Sequence, residues 1–137
     1  MKKCLMLFAV VVGLASASFA ADKAKVKAVP FPASMDPMVV ASDTHKIVFE
    51  NERVRVMEVT FQPGQKIAAH THPDHFVYEL SAGQVTISKP DGTSHVVDMM
   101  PGRVVWINAG IHWAVNSGSS VVKLLLTELK EAKPLSK

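Results

Sequence analysis

Cysteine is almost missing from this chain: Cys4 is the only one in 137 residues. Once the first residues are set aside, disulfides, thiolate metal ligands and a cysteine nucleophile are all excluded. An excess of charge is missing as well. Lys2 and Lys3 belong to a segment expected to be removed, and the remaining thirteen basic against twelve acidic residues leave a formal charge of +1. Such a balance gives no footprint for nucleic acid or an anionic membrane. Long apolar runs are missing too, since Leu5 to Leu14 is ten residues where a membrane span needs about 20. With seven glycines and no glycine-rich phosphate loop among them, nucleotide chemistry has no support.

What stands at the N-terminus is an address. Lys2 and Lys3 precede the apolar run, and Ala15-Ser-Ala17-Ser-Phe-Ala20 supplies small residues suited to a signal peptidase. This predicts a secretory signal over residues 1–20, cleaved after Ala20 or, alternatively, after Ala17. The mature chain of about 117 residues would be periplasmic or secreted, with no stable membrane anchor, and large enough to bury one core unaided. Residues 21–45 form a loose arm with Pro30, Pro32 and Pro37, whose apolar end Met38-Val39-Val40 favours docking against the domain or a neighbouring subunit. Residues 46–130 form the folded domain and 131–137 a tail.

Within that domain the pattern is β. Arg53 to Phe61 alternates with period two, and Val-, Ile- and Thr-rich segments follow at 75–80, 84–88, 94–99, 103–107, 113–116 and 121–128. Turn pairs punctuate them at Pro63-Gly64, Ala82-Gly83, Pro101-Gly102 and Ser117-Gly118, with Pro90-Asp-Gly92 marking a hairpin. The reading is an all-β, single small antiparallel β-barrel or jelly roll.

Against that background the histidines become informative. His70-Thr-His72-Pro-Asp-His75 places three in six residues, and His112 follows in Gly110-Ile-His112-Trp-Ala-Val-Asn116. On a strand, residues i and i+2 project from one face, so His70 and His72 can aim at one point. On a helix they would diverge by about 200°. Neutral imidazole is the commonest protein ligand for a metal.

Gly64, five residues, His70-x-His72, then His75 and Gly83 resemble the first motif of the cupin superfamily. Gly102, five residues, then Asn108-Ala-Gly110-Ile-His112-x3-Asn116 resemble the second. The resemblance runs from about Arg53 to Glu128. Two departures stand out: His75 takes the place of the family's glutamate, and Asn108 that of its proline. The chain thus resembles a cupin branch with a His-x-His-Pro-Asp-His first motif.

The resemblance implies a divalent transition metal (Fe, Zn, Ni or Cu) held by His70, His72 and His112, with His75 as fourth ligand or close neighbour. Without the family carboxylate the local charge is expected near +2, which favours a small anionic, metal-chelating substrate. Asn116 and Gln84 are candidates for orienting the ligand histidines. Phe76, Tyr78, Trp106, Trp113 and Met57 are candidate pocket residues. Glu79 is a weak candidate for general base, and the favoured parity, with Phe76 inward, leaves it solvated. His45 and His95 read as ordinary surface histidines, Arg53 and Arg55 as solvated charges, and Asp74 as a turn residue. The leading function is a metal-dependent, dioxygenase-like enzyme; the alternatives are a non-catalytic periplasmic module for a metal or small ligand, and a cupin-type isomerase. Exposed sheet edges favour a homodimer.

Overall fold

The computed structural model describes residues 32–130. The expected signal segment, the first part of the arm and the tail 131–137 lie outside the described residues. A 3₁₀ turn at Ala33–Met35 leads into a single helical turn, α1 (Pro37–Val40), capped by the Asp36 carboxylate, which accepts from the N–H of Met38. Met38 and Val40 pack on the core, so this part of the arm is docked on its own domain.

Nine strands follow: β1 (His45–Glu50), β2 (Val54–Phe61), β3 (Lys66–His72), β4 (His75–Glu79), β5 (Gly83–Ser88), β6 (Ser94–Met99), β7 (Val104–Ile107), β8 (Gly110–Asn116) and β9 (Val122–Leu129). They form a five-stranded sheet, β1-β2-β9-β4-β7, and a four-stranded sheet, β3-β8-β5-β6, with antiparallel pairs throughout. The expected jelly roll is present, as two facing sheets rather than a closed barrel. Alternation decides what lies between them. Met57, Val59 and Phe61 point inward from β2 and Leu126 from β9, to meet Ile67, Val85, Met99 and Ala114 of the other sheet.

The motif glycines have steric reasons. Gly64 and Gly102 hold φ of 74° and 87°, left-handed turns that a side chain would strain. A Cβ on Gly83 would lie 2.6 Å from Val122 Cγ2, so β5 can approach β9 only without one.

On β4 it is His75, Val77 and Glu79 that are buried, whereas Phe76 is half-buried and Tyr78 exposed. The expected parity is therefore reversed. The reason is the Pro73-Asp74 turn, which carries the chain from β3 in one sheet to β4 in the other and resets the alternation. Glu79 is not solvated: its carboxylate accepts from Arg103 Nε and Nη2 and from the Met100 N–H. Arg103→Met should cost about 2–3 kcal/mol in urea unfolding, because it strands a buried carboxylate, with some of the loss screened at the partly exposed guanidinium.

Candidate metal centre

The local build of β3 aims its histidines. Ile67 pairs with Ala114 and His70 with His112, so one extra residue bulges from β3 between them. A bulge re-aims side chains: Ile67 and His70, three residues apart, both face inward, and the Ala68 carbonyl accepts from His70 Nδ1. His72 ends β3 on the same face, and His75 opens β4 from the opposing sheet. Asp74 in the turn ties three strands: its carbonyl accepts from Leu129 N–H and its carboxylate from Ala109 N–H, just before His112's strand.

The result is a cluster of five imidazoles. Ring centres are 4.4 Å apart for His70–His112, 4.8 Å for His70–His72 and His72–His75, 5.4 Å for His72–His112 and 6.5 Å for His75–His112. The fifth is His45, from the start of β1, whose ring lies 5.6 Å from His70 and 6.1 Å from His72. One ring nitrogen each of His45, His70 and His72 lies within 4.8 Å of the others, and these three buried histidines could hold a metal ion. His45 is thus no surface residue; it is 4 % exposed and inside the cluster.

Outer contacts fix which nitrogen each ring offers. His70 Nδ1 donates to Ala68 O, His75 Nδ1 to Pro73 O and His72 Nδ1 to the Glu128 carboxylate, at 2.6–2.8 Å. In a neutral ring a donating Nδ1 leaves Nε2 with its lone pair. The Nε2 atoms of His72 and His75 are buried without a hydrogen-bond partner among the described residues. Orphaned buried acceptors of this kind carry a desolvation cost that a cation would offset. The donor set therefore fits a divalent transition metal.

Protonation agrees with that. Burial pushes the His72 and His45 rings down to about 4 and His112 to about 2, with neighbouring histidines adding to the effect. His70 and His75 are lowered by burial as well. Burial opposes ionisation of Glu128, but hydrogen bonds from His72 and Arg55 outweigh it and hold the carboxyl at about 2. Near neutral pH the site is five neutral rings behind which a carboxylate stands.

That carboxylate corrects the expected charge. Glu128 on β9 accepts from His72 at 2.6 Å and from Arg55 Nε at 2.6 Å, and Arg55 also donates to Asp36 at 2.8 Å. Two carboxylates against one guanidinium bring a net negative charge one hydrogen bond behind the rings. Arg55 is accordingly a half-buried partner of two carboxylates, not a solvated charge. Both residues occupy inward positions of the strand alternation, Arg55 with Met57 and Glu128 with Leu126; opposite charges at inward parity were the signal in the sequence. His45 offered none beyond its place at the start of a strand.

Other expected positions fall elsewhere. The histidines open onto a cavity of ≈ 290 Å³ whose walls are mainly Val, Ile, Leu, Met and Phe. Phe76, Tyr78, Trp106, Trp113 and Met57 do not line it. The first four project from outer faces, with Trp106 52 % exposed, and Met57 is core. Asn116 orients no histidine: its amide donates to the carbonyls of Phe61 and Ser120, pinning the β8–β9 turn. Gln84 bonds Asp98. His95 is exposed as expected, yet it lines the cavity.

Two facing antiparallel sheets with a histidine cluster between them define a class, and solved structures identify it. The chain is similar to a cupin domain from Bordetella pertussis Tohama I, at 26% identity and TM-score 0.60 over 64% of this chain and 92% of that one. It is also similar to a cupin superfamily protein of Desulfitobacterium hafniense DCB-2, at 20% identity and TM-score 0.51 over 64% and 76%. A third likeness is to an RmlC-like cupin with a double-stranded β-helix fold from Methanocaldococcus jannaschii, at 14% identity and TM-score 0.53 over 63% and 78%. No family model matches the sequence, and no curated protein does. The chain has the double-stranded β-helix fold of the cupin superfamily.

Proposed function

We propose that this protein is an exported, metal-dependent cupin enzyme of dioxygenase type, acting on a small anionic molecule that chelates the metal. The observation that carries the reading is the pair of buried, partnerless Nε2 atoms on His72 and His75 beside His70 and His112. His70, His72 and His112 would hold the ion, with His75 as fourth ligand or immediate neighbour. A bound divalent Fe, Zn, Ni or Cu ion supplies Lewis acidity and, where redox-active, a place for oxygen.

The chain's own contribution is orientation and exclusion. Glu128 fixes the His72 ring and raises its basicity. The apolar walls keep bulk water from the substrate, which strengthens every charge interaction inside. Glu79 lines the cavity but is held by Arg103 and Met100, so no free carboxylate base faces the substrate among the described residues. Glu79 is thereby removed as a base, which leaves the imidazoles and the metal to supply the chemistry.

The test is elemental analysis of protein purified from its own compartment, with oxygen-uptake assays across small keto and phenolic acids. We expect about one redox-active metal per chain and oxygen consumption. Tightly held zinc without turnover would establish the non-catalytic binding module instead. Removal of residues 1–20 is checked by the mass of the same material.

A homodimer belongs to this reading. Val104, Trp106 and Tyr78 leave the outer face of the five-stranded sheet apolar and exposed beside the β7 edge, and such a face is normally covered. A single-chain mass in light scattering would refute it.

A further inference from the structure

The inner face of the four-stranded sheet carries one cation that the metal reading leaves unused. β5 and β8 pair from Val85–Asn116 to Ser88–Trp113, and one step further along the same register Lys89 comes opposite His112. Val85, Ile87 and Lys89 all line the cavity, so Lys89 keeps the inward parity of β5. His70, His112 and Lys89 therefore form one cross-strand row, from the buried cluster to the mouth. His95, paired with Ile87, lines the cavity from the next strand.

Lys89 and His95 are both exposed, as a mouth requires. The nearby carboxylate is Asp91 in the β5–β6 turn, and one of its oxygens already accepts from Thr93 N–H and Oγ1. No ion pair to Lys89 forms among the described residues. Apart from Glu79, whose carboxylate is taken up by Arg103 and the Met100 N–H, the rest of the lining outside the histidines is apolar.

We infer that Lys89 is the anion anchor of this cavity, binding a carboxylate of a ligand whose other end reaches the histidine cluster, with His95 as a second donor at the mouth. A flexible ammonium suits this task, because it follows an anion as a mobile point charge. The inference rests on the metal reading for the far end of the ligand and goes beyond it in naming what selects the near end. It predicts preference for carboxylate-bearing chelators over neutral ones of the same size.

The experiment uses the full chain, as wild type, Lys89→Met and Lys89→Arg, each titrated with cobalt(II) and followed by its visible absorption. Metal uptake should be equal in all three. Malonate and acetohydroxamic acid, which bears no carboxylate and is uncharged until it chelates, are then titrated calorimetrically. Lys89→Met should bind malonate roughly tenfold to a hundredfold more weakly, the span of a hydrogen bond to a charged group, with acetohydroxamic acid unchanged and Lys89→Arg largely restored. Equal malonate affinity in wild type and Lys89→Met overturns the inference, as does equal weakening for both chelators. If no form takes up cobalt, the metal reading fails, and Lys89 is judged on the metal-free chain. Malonate binding that Lys89→Met weakens then upholds the anchor; equal binding, or none in wild type, overturns it.

Discussion

His72→Ala is expected to abolish stoichiometric metal retention, while His95→Ala should leave it intact. Of the five clustered rings, His72 is the one fully enclosed, at 0 % exposure, and it stands within 6.1 Å, ring centre to ring centre, of all four others. Its Nδ1 is committed to Glu128 and its Nε2 to nothing among the described residues. Losing only an outer partner of a ligand costs about 10–100-fold in metal affinity, so losing the ligand itself should exceed about a hundredfold by that comparison. The measurement is metal content after equilibrium dialysis against a weak chelator. Glu128→Gln should fall between wild type and His72→Ala, since the amide can still accept from Nδ1 but brings no charge. Full retention by His72→Ala would show that the ion, if bound, sits elsewhere.

Most of the fold was legible because strand alternation and turn residues are local. The segments read at 84–88, 94–99 and 103–107 differ from β5, β6 and β7 by a residue at most. The start of β8 was read three residues late, since Gly110-Ile-His112 lacks the β-branched density of a strand, and only its pairing with β3 makes it one. Parity was where local reading failed. A turn that changes sheets, at Pro73-Asp74, and a bulge at Ala68-Ala69 each reset which residues face inward, and neither is written in the period-two pattern. The four motif histidines lie together; spacing alone pairs only His70 with His72, and the family resemblance implied the other two. Inward parity marks Arg55 and Glu128 in the sequence, but their partnership, like the place of His45, depends on β1, β2 and β9 lying side by side across the opposing sheet, a relation between residues as far apart as 45 and 128. The aromatic residues failed by the same logic. Phe76, Tyr78 and Trp113 alternate with His75 and His112 on their strands and so face away from them, and Trp106 pairs with Phe76 and shares its outward face.

The metal-free protein should unfold steeply in mild acid. A histidine held down by burial binds its proton more readily unfolded than folded, so stability is present above the unfolded value and falls as pH drops towards the folded one. The window opens at the ordinary imidazole value of 6.5 and, for His45 and His72, closes near 4; for His112 it extends to about 2. Each fully unmatched proton costs about 1.4 kcal/mol per pH unit. Between pH 6.5, where an unfolded ring is already half protonated, and pH 5 these three rings together remove about 5 kcal/mol, comparable to the whole stability of a small domain. His70 and His75 shift in the same direction. Glu128 adds to the loss only below its unfolded value of 4.5, since it stays ionised in the fold down to about 2. Circular dichroism of apo protein should give an unfolding midpoint near pH 5, and His112→Gln should make the transition shallower by about one proton. A bound metal competes with protons for the same lone pairs, so loading it should move the midpoint to lower pH. A metal-free domain that stays folded at pH 4 with an unchanged midpoint in His112→Gln would mean the rings are not desolvated as their packing requires, and the site would then have to be hydrated and open.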